Sequence, residues 1–418
     1  MLVNIRQCLL AALLLGLACT AHAEDASDPF DDWSDWDEDA EIYTGYLEYR
    51  LATRFSPNPL FRHRASRDEL KLKFDASDQI ASARWDFELD LYADSLEGRA
   101  RADLREATLS FDTPGSGQIK LGRQVLGWGT GDLLFINDRF PKDFSLPLSG
   151  GEDFYFKAPS NTLRYLGAVG PLSIDLAYTP EFTPDRFPDG RRLSVFNPVQ
   201  GQLIGGGRRV DPPRPHGAET ALRLASTVGG IEYAGYAYRG FDKQPLSASS
   251  IAEPRFRRRD SLGASLRGPL LGGIGALEVG REWRGNAPDN DVAVVPNKTA
   301  LMAGFERELR AKLTAGMQLY YERFADHPRA LHPLAQGERQ LLSLRLTQLS
   351  MQDRLQLSAI QFYSPNQHDR WLRATASFRF SDTWLSGAQV NLFAGNQNTL
   401  FGQFEDDSQW ALWLRRQF

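Results

Sequence analysis

Five histidines follow the first 23 residues: His63, His216, His327, His332 and His368. Imidazole and carboxylate suit transition metals, so Asp326-His327 with His332 is the pattern to weigh first. These histidines fall on four different expected loops, and their spacing assembles no ligand set. A hydrolase needs a serine, a histidine and an orienting partner within reach of one another. No histidine lies on an expected strand beside an outward serine. Both cysteines, Cys8 and Cys19, sit in the first twenty residues, which removes thiolate ligands. The chain carries neither a Gly-rich phosphate loop nor a haem-attachment motif. The reading is therefore of no catalytic residues, no metal and no cofactor.

The remaining chemistry is charge, and its spacing identifies the elements that carry it. In Trp85-Asp86-Phe87-Glu88-Leu89-Asp90-Leu91, apolar and acidic residues trade places at every step. A helix scatters those carboxylates around its axis, whereas a strand aligns them on one face. The alternation recurs in Leu70-Lys71-Leu72-Lys73-Phe74, in Leu172-Ser173-Ile174-Asp175-Leu176 and from Leu372 to Phe380. It gives strands at 43–54, 68–75, 82–94, 101–113, 117–127, 161–169, 172–180, 218–226 and 229–239. The second half adds 255–266, 272–284, 299–308, 312–324, 338–349, 354–364, 370–381, 383–395 and 408–418. That is eighteen strands, with sixteen as the alternative. Links after even-numbered strands are short, and most links after odd-numbered ones are long, the extremes being 128–160 and 181–217.

Segregation of long and short links is the mark of a transmembrane antiparallel β-barrel, all-β, with tight periplasmic turns and long extracellular loops. Closure removes the edges that lipid would leave unpaired. The 418 residues carry a net charge of −5 with 24% charged and 42% hydrophobic positions, which favours neither a nucleic-acid binder nor a polybasic surface protein. No apolar run outside the N-terminus is long enough for a membrane helix. Residues 1–23 read as a cleaved signal peptide ending in Ala21-His22-Ala23, residues 24–42 as an acidic periplasmic segment and residues 43–418 as the barrel. Trp410, Leu412, Leu414, Arg416 and Phe418 share one face of the last strand. A terminal Phe418 resembles the signature that delivers outer-membrane proteins to the barrel-assembly machinery. Trp371, Trp384, Tyr43, Tyr178 and Trp283 fall near strand ends, where interfacial aromatic girdles belong.

With apolar side chains facing lipid, Lys71, Lys73, Asp86, Glu88, Asp90, Glu106, Lys120, Arg345 and Arg373 line the lumen. Asp175, Glu219, Glu282, Glu322 and Arg379 share that face. Sixteen to eighteen strands enclose an aqueous channel rather than a solid core. The loop at 128–160 carries Asp132, Asp138, Arg139, Lys142 and Asp143 around the run Leu133-Leu134-Phe135-Ile136. An apolar run of this kind prefers burial. We expect the loop to fold inward, its apolar residues on the wall and its charges facing the passing solute. The 181–217 loop is basic, suited to funnelling anions or bridging lipopolysaccharide phosphates.

Leu104-Arg105-Glu106-Ala107, then Leu121-Gly122-Arg123-Gln124 and Trp128-Gly129, resembles a strand pair of alginate-export-type porins and related large-barrel families. The resemblance covers about 30 residues. It implies an eighteen-stranded channel in which Arg105, Glu106, Gly122, Arg123, Gln124, Trp128 and Gly129 form the shared motif; Asp86, Glu88 and Asp90 do not suit a polyuronate conduit. The expectation is an outer-membrane porin in contact with lipid and lipopolysaccharide, passing small polar or amphiphilic solutes by diffusion, export or uptake. The alternative is a ligand-capturing receptor or adhesin with a loop-closed barrel.

Overall fold

A computed structural model describes residues 43–131, 134–152, 156–197, 200–207, 212–245, 256–284, 297–325 and 337–418. The expected leader and acidic segment lie outside them. The barrel strands are β1 (Tyr43–Arg54), β2 (Ala65–Ile80), β3 (Ala83–Asp94), β4 (Arg99–Thr113), β5 (Gly117–Val125), β6 (Pro159–Val169), β7 (Leu172–Thr179), β8 (Glu219–Val228) and β9 (Ile231–Phe241). They continue as β10 (Arg258–Leu270), β11 (Gly273–Arg284), β12 (Lys298–Arg310), β13 (Leu313–Phe324), β14 (Glu338–Ser350), β15 (Leu355–Ser364), β16 (Asp369–Arg379), β17 (Trp384–Ala394) and β18 (Gln409–Gln417). These form one 18-stranded sheet. Each strand pairs antiparallel with the next, and β1 pairs with β18 from Tyr46 opposite Gln417 to Arg54 opposite Gln409, which closes the ring. The eighteen expected strands are present.

The eight links after even-numbered strands are tight turns of two to four residues. Left-handed backbone at Ala81, Leu271 and Lys312 matches the primed turns that strand twist favours in such hairpins. Among the described residues, those of three long links at the opposite end run into the lumen, within 126–158, 180–218 and 395–408. The first carries a short helix, α1 (Ser145–Leu148). The second carries a small hairpin of Val195–Asn197 and Gln202–Ile204. The third carries a 3-10 turn, Gly402–Asp407.

Alternation sorts the side chains. On β1, Tyr46, Glu48, Arg50, Ala52 and Arg54 are buried, while Leu47, Tyr49 and Leu51 are not. Around the outer wall, Leu72, Leu91, Leu109, Leu121, Leu163, Leu176, Leu262, Leu277, Leu301, Leu319, Leu344, Leu357, Leu392 and Leu412 are all exposed. The protein's apolar core therefore sits inside the ring, against the loops. There Met302, Tyr320, Leu341, Ile360, Phe362, Trp371 and Phe393 line the wall from β12 to β17, and Leu134, Ile136 and Leu148 pack on them. Trp371 corrects the girdle expectation: it is buried on the inner face, stacked on Phe362 at 5.4 Å. Tyr43 and Tyr178 are exposed on the outer face.

Candidate functional site: the lumen and the loop that crosses it

On β2 to β5 the inward charges form ladders of alternating sign. Lys71 lies 3.5 Å from Asp90, Lys73 is 3.2 Å from Glu88, and Lys120 bridges Asp86 at 3.3 Å and Glu106 at 2.5 Å. Cross-strand placement of opposite charges makes each ladder mutually supporting. Arg345 is half-buried opposite Ile360. Arg373 reaches away from its strand and donates to the carbonyls of Pro147 at 3.0 Å and Gly151 at 2.8 Å. Asp175 is held by Arg164 at 2.6 Å, Glu219 by Lys243 at 2.5 Å, and Glu322 by Lys298 at 3.3 Å. Arg379, at the short-turn end, is exposed.

The motif residues form one structural device. The β3–β4 register pairs Glu88 with Glu106 and Leu89 with Leu104, leaving Arg105 as the extra residue of a β-bulge. The bulge turns both Arg105 and Glu106 inward: Arg105 meets Glu88 at 3.2 Å and Glu106 meets Lys120. Opposite it, Gly122 has φ +124°, and a Cβ there would meet the Ala107 carbonyl at 2.1 Å. Arg123 Nε then donates to the Leu104 carbonyl at 2.5 Å, satisfying a group that the bulge takes out of the ladder. Gln124 is buried and donates to the Thr162 carbonyl. Trp128 Nε1 donates to Asp175 at 2.7 Å. Gly129, with φ +84°, lets the chain pass close to the Glu278 carboxylate.

From there the 126–158 loop traverses the barrel. Glu278 of β11 accepts the backbone N–H groups of Thr130 at 2.8 Å and Asn137 at 2.7 Å. Arg139 pairs with Glu282 of the same strand at 2.5 Å. Beyond α1, Gln409 donates to the Leu148 carbonyl, Arg50 to that of Gly150, and Arg67 Nη2 to Ser149 Oγ. Glu152 contacts Lys71 at 3.1 Å, the Tyr46 hydroxyl at 3.1 Å, and Arg415. The loop thus lies inside the barrel and is wired to β1, β2, β11, β16 and β18.

Its charges are not where the sequence reading put them. Asp138, Arg139, Lys142 and Asp143 are all buried, so they do not face an open passage. Lys142 pairs with Asp138 at 2.8 Å, and Asp143 is 3.4 Å from Arg186 of the next inward loop. Burial is the dominant influence on these loop groups. It lowers the Lys142 ammonium pKa and raises the Asp143 and Asp185 carboxyls, with Arg186 beside Asp143 and Lys142 beside Asp185 partly opposing it. Buried charges stay only where partners offset desolvation, and here the partners come from the loop itself, from Glu282 of β11 and from Arg186 of the next loop. Asp132 lies outside the described residues. The basic 181–217 loop is also turned inward: Arg191 pairs with Glu97 at 2.8 Å, and Arg192 with Asp94 and, at 3.3 Å, with Glu69.

Sequence reasoning missed Glu278, Arg50, Arg67 and Arg415, the wall-side anchors of the loop, and saw Glu152 only as one of the loop's charges. Glu278 was within reach, since it sits four residues before Glu282 on the same strand face. The anchoring role of Glu152 was not, because its three partners come from strands distant in the chain. His327 and His332 lie outside the described residues, and the described ones contain no cluster of three or more His, Cys, Asp and Glu placed to hold a metal ion.

The geometry defines a large antiparallel barrel whose polar lumen is crossed by its own loops. No protein-family model matches the chain, and no curated protein matches its sequence. Among solved structures it is similar to OccAB3 of Acinetobacter baumannii, with 8% identity over 90% of this chain and 98% of that one, at a TM-score of 0.53. OccK5 (OpdH) of Pseudomonas aeruginosa gives 10% identity, 90% and 97% coverage and a TM-score of 0.54. OccK11 (OpdR) of the same organism gives 11%, 90% and 95%, and 0.53. At these identities the likeness is one of fold.

Proposed function

We propose that this protein is an outer-membrane channel through which small polar or amphiphilic solutes diffuse, with the 126–158 loop as its constriction. The observation that carries the reading is the inversion of the barrel: leucines outside, paired charges inside, in a ring with no open edge. A continuous exposed apolar wall is costly in water and favourable in hydrocarbon, and closure satisfies every ladder group without solvent. Structures sharing this fold are outer-membrane porins, which supports the same role here. The mixture of both charge signs on β2 to β5 favours small polar solutes over a polyuronate, so the motif resemblance is read as a barrel feature and not as a cargo. On this reading lipopolysaccharide surrounds the long-loop rim, and the barrel-assembly machinery receives the chain through Phe418.

A second reading keeps one observation in its favour. The three inward loops interlock: Asp143 of the first lies 3.4 Å from Arg186 of the second, and Asp407 of the third accepts the Ser194 N–H of the second at 2.5 Å. A barrel packed in this way also suits a ligand-capturing receptor. Planar-bilayer recording of the purified protein separates the two. Stable unitary conductance steps are expected of a channel. Their absence from correctly folded, inserted protein would establish the loop-closed receptor instead.

A further inference from the structure

At the long-loop rim, the β15–β16 hairpin encloses polar groups that nothing around them satisfies. Ser364 and Asp369 are register partners on the inner face, which places their Cβ atoms about 5 Å apart. Both are fully buried, and Gln367, in the turn between them, is 5% exposed. Asp369 Oδ2 accepts the Phe401 N–H at 2.7 Å. Asp369 Oδ1, Ser364 Oγ and both polar atoms of the Gln367 amide have no hydrogen-bond partner. No lysine, arginine or histidine among the described residues pairs with Asp369. The backbone of Gly395 closes the other side, where a Cβ would stand 2.5 Å from that of Asp369.

A buried carboxylate without a cation is one of the costliest arrangements a protein can hold, and it is ordinarily paired or bound to a metal. Here the open donors are a carboxylate, a hydroxyl and an amide carbonyl, all hard oxygens on a short turn. That set suits Ca²⁺, which takes oxygen ligands in flexible geometry, better than Mg²⁺, which demands a near-ideal octahedron. We propose that Ser364, Gln367 and Asp369 form a Ca²⁺ site at the extracellular rim. The ion binds the β15–β16 turn to the 395–408 loop through Asp369, and so fixes the segment whose Phe401 ring lies 5.8 Å from Trp371.

The test uses full-length protein refolded in non-ionic detergent and stripped with EDTA. Tb³⁺ replaces Ca²⁺ in oxygen sites, and Trp371, two residues from Asp369 on the same face, sensitises its emission. Saturable Tb³⁺ luminescence is expected, displaced by Ca²⁺ and far less by Mg²⁺. Asp369→Asn, which keeps an acceptor for the Phe401 N–H, should weaken binding at least tenfold. Ser364→Ala should weaken it several-fold, and both variants should retain the compact gel migration of a folded barrel. Trp371→Phe should lose the emission while still taking up Ca²⁺ by calorimetry. Equal Tb³⁺ emission from folded Asp369→Asn, or from folded Ser364→Ala should Asp369→Asn not fold, overturns the site. So does a calorimetric titration of wild type into millimolar Ca²⁺ with no uptake.

Discussion

Asp143 and Asp185 show how a loop carboxylate inside a barrel differs from one on a surface. Burial raises both above the ordinary value of 3.8, so from pH 3.8 upward, until each raised carboxyl ionises, the folded chain binds more protons than the unfolded one. Stability contributed by these groups therefore falls as pH rises through that window. The paired variant Asp143→Asn with Asp185→Asn removes the effect. Its melting temperature, measured from about pH 4 to 6, should gain on that of wild type as pH rises; a constant difference would show that the two carboxyls titrate normally. These environments were not legible beforehand. The sequence shows Asp138, Arg139, Lys142 and Asp143 as neighbours on one segment, but Glu282 and Arg186, which define their surroundings, lie far along the chain.

Strands were the legible part, because period two is a local signal that lipid on one side and charge on the other enforce together. Their ends were less so. β2 was expected over 68–75 and runs from Ala65 to Ile80, since ladder hydrogen bonds continue through Arg67, Ser77 and Gln79 without regard to side-chain polarity. β10 was expected to stop at 266, and yet Pro269 pairs with Ile274 near its end, a position where the missing N–H costs nothing in the ladder. The bulge at Arg105 escaped notice although the motif around it did not. At this scale the 126–158 loop is the element to remove. Deleting 132–145 takes Leu134, Ile136 and the Arg139–Glu282 pair out of the lumen while leaving every barrel ladder intact. Single-channel conductance should rise several-fold and ion selectivity should flatten. Unchanged currents in folded variant barrels would move the constriction elsewhere.

For the whole molecule, the joint between β1 and β18 carries more than its own ladder. Glu48 holds Arg415 at 2.7 Å across it, and Glu152 touches Tyr46 on one side and Arg415 on the other. Glu152→Ala leaves Lys71 and Arg415 each short of a buried partner, at a cost of about 1–3 kcal/mol. The temperature at which the compact gel band is lost should fall by several degrees, more than for Glu97→Ala at the rim. An equal effect from both would make Glu152 an ordinary surface charge.

The strands that meet at this joint are also those that hold the interior: Arg50 and Arg54 on one side, Gln409 and Arg415 on the other, each gripping a loop inside the ring. The last stave of the barrel and its internal cross-brace are therefore fastened by the same residues. Closing the ring and holding its contents in place are thus two tasks of one pair of strands, so whatever loosens this joint loosens both.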